Sequence, residues 1–198
     1  MTSIAAPAVL ADRLVARRSV VTDVALVGAG VALTALLAQV AIPLWPVPVT
    51  GQTLAVLLVG ASLGALRGAA SLSVYALLGA AGLPIFSEQS SGLAVLAGPT
   101  GGYIVGFVLA AALTGWLAER RWDRRFLGAA IAMTAGTVVT FAIGLPWLAA
   151  ATGGSLEQVL AWGLVPFIPG GIVKALIAAA ILPLAWKGVR ALDARRDA

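Results

Sequence analysis

Lys174 is the residue best placed for chemistry in this sequence, because it stands inside an otherwise apolar run, Phe167 to Trp186, where no interface explains a cation. On insertion scales a lysine at mid-membrane costs on the order of 2.5–3.5 kcal/mol, less toward the surface, so it marks a function unless its head snorkels to water or lipid phosphate. Lys187 lies 13 residues further along the same helix, about 20 Å away, which sets Lys174 in the outer third of a hydrocarbon core about 30 Å thick. A second feature is the run Pro99-Thr100-Gly101-Gly102-Tyr103. Proline and two glycines open a helix there and leave bare backbone N–H groups that accept anions or carbonyl oxygens, although small residues at a helix start serve close packing equally well. Two connecting segments are also unusual. Ile42 to Gln52 carries three prolines within six residues, a stiff stretch that must be buried in protein or face water. Leu83 to Pro99 mixes Ser87, Glu88, Gln89, Ser90 and Ser91 with apolar residues and reads as a lid folded back toward the body of the protein.

Other chemistries are closed. With no histidine and no cysteine, histidine-ligated metals, Ser-His-Asp triads and thiol catalysis are excluded. A Ser–Lys dyad using Lys174 is the one nucleophile–base arrangement left open. Gly170-Gly171-Ile172-Val173-Lys174 has neither the spacing of a phosphate-binding loop nor a glycine before the lysine, so the chain is not its own ATPase. A channel or holin would need no lone intramembrane lysine.

The elements that position these residues follow from composition. The 198 residues are 61% hydrophobic and 11% charged, with a mean hydropathy of +1.02, against about 25% charged for a soluble domain. Six apolar segments fit, four of them near the roughly 20 residues that cross a bilayer as a helix and the second and third shorter, at 16 and 15 residues: Asp23 to Ile42, Gly51 to Leu66, Gly68 to Gly82, Thr100 to Ala118, Phe126 to Leu148 and Phe167 to Trp186. The net charge of +5 invites a nucleic-acid reading, but the distribution of the 13 cations opposes it. Arg13, Arg17, Arg18, Arg67, Arg120, Arg121, Arg124, Arg125, Lys187, Arg190, Arg195 and Arg196 all fall on one side of the six segments. The opposite connections hold only Glu88 and Glu157, so both termini are expected in the cytoplasm. Residues 51–82 as one helix would be about 48 Å long with Arg67 at its centre, so two short helices turning at Arg67 are expected. Residues 1–22 read as a cytoplasmic segment whose Arg17-Arg18 anchors the first helix, 23–187 as the membrane domain, and 188–198 as a frayed, charged cytoplasmic tail. In the first span Ala25 and Ala29, and Gly28 and Ala32, stand four apart on one face, which either packs internally or docks another membrane protein.

The runs Val47-Pro48-Val49-Thr50-Gly51-Gln52, Gly79-Ala80-Ala81-Gly82-Leu83-Pro84-Ile85-Phe86, Gly98-Pro99-Thr100-Gly101-Gly102-Tyr103-Ile104-Val105-Gly106-Phe107 and Pro169-Gly170-Gly171-Ile172-Val173-Lys174 resemble the BioY family. These are the biotin-specific S components of energy-coupling factor (ECF) vitamin transporters, and the likeness covers about residues 24 to 187. The resemblance implies an all-α integral membrane protein of six transmembrane helices in the cell's inner (plasma) membrane. It implies a high-affinity biotin-binding subunit, not an enzyme, with its site on the outer side beneath the first and third connecting loops. It further implies an ECF transmembrane coupling protein, docked on the face of Ala25, Gly28, Ala29 and Ala32, and two ABC-type ATPases that bind the ATP.

Biotin has one carboxylate, a ureido group and an apolar bicycle and chain, so it needs one cation, a few neutral polar groups and aromatic walls. Lys174 is the expected cation, Gln52, Ser90 and Tyr103 the polar candidates, Gly102 the bare helix start and Phe86 a wall. Trp45, Trp147 and Trp162 serve as walls or as an interfacial belt, and Tyr75 reads as helix packing. The chain departs from the family at two places. Gly171 stands where relatives usually have aspartate three residues before the lysine, and Ser87-Glu88-Gln89-Ser90-Ser91-Gly92 replaces a glycine-rich loop whose polar position corresponds to Ser90. The counter-charge of Lys174 is then expected to be Glu88 or the ligand itself. The alternatives are an S component for another vitamin, or a solitary secondary transporter, which the lack of coupling carboxylates inside the spans opposes.

Overall fold

The computed structural model describes residues 9–15 and 19–196, with side chains as far as residue 191. Its helices are α1 (Leu10–Leu14), α2 (Val20–Ala38), α3 (Gln52–Leu63), α4 (Ala65–Ala80), α5 (Leu93–Ala97), α6 (Gly101–Glu119), α7 (Phe126–Thr152), α8 (Leu156–Gly163) and α9 (Phe167–Arg196), with a two-stranded ribbon of β1 (Ala41–Ile42) and β2 (Val49–Thr50). Four of them, α2, α6, α7 and α9, are long and apolar enough to cross a membrane. Helices α3 and α4, of 12 and 16 residues, are apolar but shorter than a full span of about 20 residues. The six apolar segments of the sequence therefore each hold one helix, and α1, α5 and α8 are additions at the ends and in the connections.

The break between α3 and α4 falls at Gly64, not at Arg67. Gly64 has a φ of 89°, a conformation only glycine adopts freely, and the Glu119 carboxylate accepts the freed Ala65 N–H at 2.9 Å. Arg67 sits in the first turn of α4 instead, where its guanidinium pairs with Asp12 at 2.5 Å and Asp23 at 3.3 Å. One arginine thus ties α1 and α2 to α4. Residue 13 belongs to α1, whereas Arg17 and Arg18 lie outside the described residues. At the other terminus α9 runs unbroken to Arg196, so the expected frayed tail is helical through that residue, with Val189 buried.

Small residues set how closely the helices approach. Helix α6 is the centre, with two-thirds of its span buried against α3, α4 and α7. A Cβ on Gly60 of α3 would lie 2.5 Å from the Ala111 carbonyl oxygen, and one on Gly115 would lie 2.4 Å from the Ala65 nitrogen, so both crossings are backbone against backbone. Helix α2 is peripheral. It turns Gly30, Thr34 and Ala38 inward, Gly30 against Ser71 of α4. Ala25, Gly28, Ala29 and Ala32 are exposed and nothing lies within 4 Å of a Cβ on Gly28, so that stripe is not internal packing. At the cationic end, Asp123 is buried in the turn between α6 and α7 and accepts a hydrogen bond from the Trp186 indole of α9. Burial raises its carboxyl pKa, and the Trp186 bond pulls it partly back.

Candidate functional site

The ends of the helices remote from the arginines enclose a narrow cavity of about 40 Å³ beneath the two unusual connections. The proline-rich connection supplies Val47 and Pro48, and the lid supplies Phe86 and Ser87. Helix α6 contributes Tyr103 and Phe107, α7 Phe141, and α9 Phe167. Tyr103 and Phe167 stack at 6.1 Å with an interplanar angle of 15°, and Phe141 stands edge-on to both, at 5.8 and 5.7 Å. These three rings pack on one another as one side of an apolar box, against which a compact ring system can lie. Tyr103, expected as a polar contact, spends its hydroxyl on the Gly163 carbonyl at 2.9 Å and offers its ring instead.

One rim of the cavity is polar. Thr50, Gln52 and Thr53 line it where β2 passes into α3. Proline-rich chain cannot make helix, so its backbone groups turn to side chains and to the short ribbon, in which Ala41 faces Thr50. The Thr50 hydroxyl donates to the Gln52 carbonyl oxygen at 2.8 Å, the Gln52 amide donates to the Tyr75 hydroxyl at 2.6 Å, and Tyr75 donates to the Ile85 carbonyl at 3.0 Å. Tyr75, read from the sequence as packing, therefore joins α3 to the lid. Lys174 donates to the Thr50 carbonyl, and to the Thr53 hydroxyl at 3.1 Å. It occupies a side pocket that shares Thr53, Phe141 and Phe167 with the main cavity.

The other expected residues fall differently. Phe86 is buried on Gly79 and meets Tyr75 edge-to-face at 5.4 Å. Ser90 donates its hydroxyl to the Ser87 carbonyl at 2.7 Å within the lid, and Glu88 is exposed. Neither lines the cavity, and among the described residues no carboxylate pairs with Lys174. Gly102 is a packing seat, with the Trp147 Cβ 2.2 Å from where its own Cβ would stand. The tryptophans brace loops rather than wall the cavity: Trp147 donates to the Gly98 carbonyl at 3.0 Å, and Trp45 meets Trp162 edge-on at 5.6 Å. Thr50, Thr53, Phe141 and Phe167 were not singled out by the sequence. The threonines had a signal, two hydroxyls flanking Gln52 at a helix start. The phenylalanines had none, because an aromatic ring in an apolar span looks the same whether it faces a cavity or a neighbouring helix.

Comparison with known proteins gives a consistent picture. The family model described as the BioY family matches residues 9–191. The biotin transporter BioY of Rhizobium etli is 36% identical over 178 residues, covering 86% of this chain and 95% of that protein. The probable biotin transporter BioY of Pyrococcus horikoshii is 40% identical over 159 residues, covering 80% and 93%. Among solved structures, the S-component for biotin from an ECF-type ABC transporter superposes with a TM-score of 0.74 at 25% identity, covering 86% of this chain and 95% of that one.

Proposed function

Since the chain belongs to the BioY family, we propose that it is the biotin-binding membrane subunit of a biotin uptake system. It is a multi-pass membrane protein of a transporter family, not an enzyme. The observation that carries the reading is the pairing of an aromatic box with a polar rim that ends on Lys174. The bicycle of biotin matches the box of Tyr103, Phe141 and Phe167, and Lys174 takes a polar end of the ligand. Gln52 and Phe86 complete the contacts. Glu88 and Ser90 act through the lid, and Gly102 of α6 through the seat it gives Trp147, all outside the immediate contacts of the ligand. Labelled biotin added to the purified chain should bind at one site per chain and resist excess riboflavin or thiamine. Displacement by either would assign the chain to another vitamin, and no binding would reject the reading.

Transport needs energy that this chain does not supply, because its sequence has no phosphate-binding loop. A transmembrane coupling protein and two ATPases of the ABC type are the proposed source, with the cationic face toward the cytoplasm of a cell whose plasma membrane holds the complex. Ala25, Gly28, Ala29 and Ala32 are the proposed docking face for the coupling protein, supported by their exposure on α2. Close backbone approach is what such a face provides, so bulk should abolish it. Ala29→Trp should lose co-purification with the coupling protein while binding biotin within about twofold of wild type. Retained co-purification would move the docking face elsewhere.

A further inference from the structure

Helix α2 lines no part of the cavity, yet it reaches the lid through one side chain. Gln39, at the C-terminal cap of α2, donates its amide N–H to the Phe86 carbonyl at 3.0 Å, and its amide oxygen accepts the Gln89 N–H at 3.1 Å. The same Nε2 is anchored to its own helix by the Ala35 carbonyl at 3.1 Å. The segment it grips is strained. Glu88 and Gln89 have φ values of 56° and 58°, a left-handed region that non-glycine residues adopt at a cost and keep only where surrounding contacts impose it. Gln39 bonds on either side of Glu88, at Phe86 and at Gln89, so it bridges the strained turn. The ring of the first gripped residue, Phe86, is a wall of the cavity.

The lid has a second tether on the same stretch. Ile85 accepts from Tyr75, which continues through Gln52 and Thr50 to Lys174. Phe86 thus stands between two anchors, one inside the site and one outside it. We propose that Gln39 is a positioning residue that holds the lid shut over the ligand cavity and so sets how fast ligand escapes. This rests on the reading of that cavity as the biotin site.

The test is the release of labelled biotin from the full-length chain in nanodiscs after a chase with unlabelled biotin, for wild type and Gln39→Met. Methionine keeps the length of the side chain and makes neither bond. Two ordinary hydrogen bonds at an exposed rim correspond to about a 10-fold change, so release from Gln39→Met should be about 10-fold faster, with the number of sites unchanged and the ligand-free chain still folded. A merely structural defect would lower the number of sites without altering the release rate of those that remain. An unchanged release rate overturns the proposal, as does a loss of sites alone. If wild type itself binds no biotin, the reading of the cavity fails instead, which separates the two outcomes.

Discussion

Lys174→Met is expected to weaken biotin binding about 10- to 150-fold, the equivalent of the roughly 1.5–3 kcal/mol that a hydrogen bond to a charged group contributes. Methionine keeps an unbranched apolar stem in the side pocket that Leu57 and Gly171 also line, and removes the ammonium. The Thr53 hydroxyl and the Thr50 carbonyl each lose a donor, but the Thr53 hydroxyl remains free to donate elsewhere and both groups lie at the rim of the cavity, so the fold should survive. Calorimetry with biotin and its methyl ester tells which end of the ligand is held. If Lys174 pairs with the carboxylate, the ester binds wild type and variant alike. If it bonds the ureido oxygen, both ligands weaken together. Unchanged biotin affinity in a folded variant would leave Lys174 as a structural donor to Thr50 and Thr53.

Gly79→Ala tests the other wall. In a helix interior alanine is more favourable than glycine by about 1 kcal/mol, so propensity alone predicts a gain. Packing reverses the sign, because the added methyl would lie 2.2 Å from the ring of Phe86, a buried and rigid group. Phe86 must leave its seat, which costs about 1.5–3 kcal/mol of stability, and once displaced it no longer walls the cavity, so affinity for biotin should fall about 10-fold, the loss of one apolar contact of about 1.4 kcal/mol. Phe86→Leu in the same chain makes room for the methyl, so the double variant should recover part of the loss. Gly28→Ala, with open space around its Cβ, is the control expected to bind normally. Gly79→Ala binding as tightly as wild type would show that the lid does not depend on this seat.

How legible these features were depends on the kind of signal each residue carries. Lys174 and the prolines of residues 43–48 stand out because charge and stiff chain are costly in hydrocarbon, so each has to be explained. The six apolar segments were equally plain, bounded by charge and proline, although the last helix runs ten residues past Trp186 to Arg196. The turn at Gly64 was not, since Gly64 is one of 23 glycines whereas Arg67 was the only charge in its region. What decided the turn was a carboxylate from Glu119, 54 residues away, that caps the start of α4. The same blindness affects Gly102 and Tyr103. Their run marked a helix start correctly, but whether glycine there meets a ligand or an indole depends on α7, which nothing local encodes. Glu88 is, beside the ligand itself, one of two expected partners of Lys174, on charge alone, and the lid turns it outward.

Helix α2 is about 29 Å long and is held near both ends. Asp23 meets Arg67 of α4 at one end, Gln39 grips the lid at the other, and the exposed small-residue face lies between. Mechanically this is a strut with two fixings and a free flank. A sideways load on the flank cannot be absorbed locally, because a helix of this length bends little, so it is delivered to the fixings. At the Asp23 end the helix bonds Arg67, and along its length Gly30, Thr34 and Ala38 seat it on its neighbours. The link to the lid rests on the neutral bonds of Gln39 alone, at an open rim one residue beyond the last inward-facing position, Ala38. Force applied from the side would therefore part the strut from the lid before it parted the helices from one another.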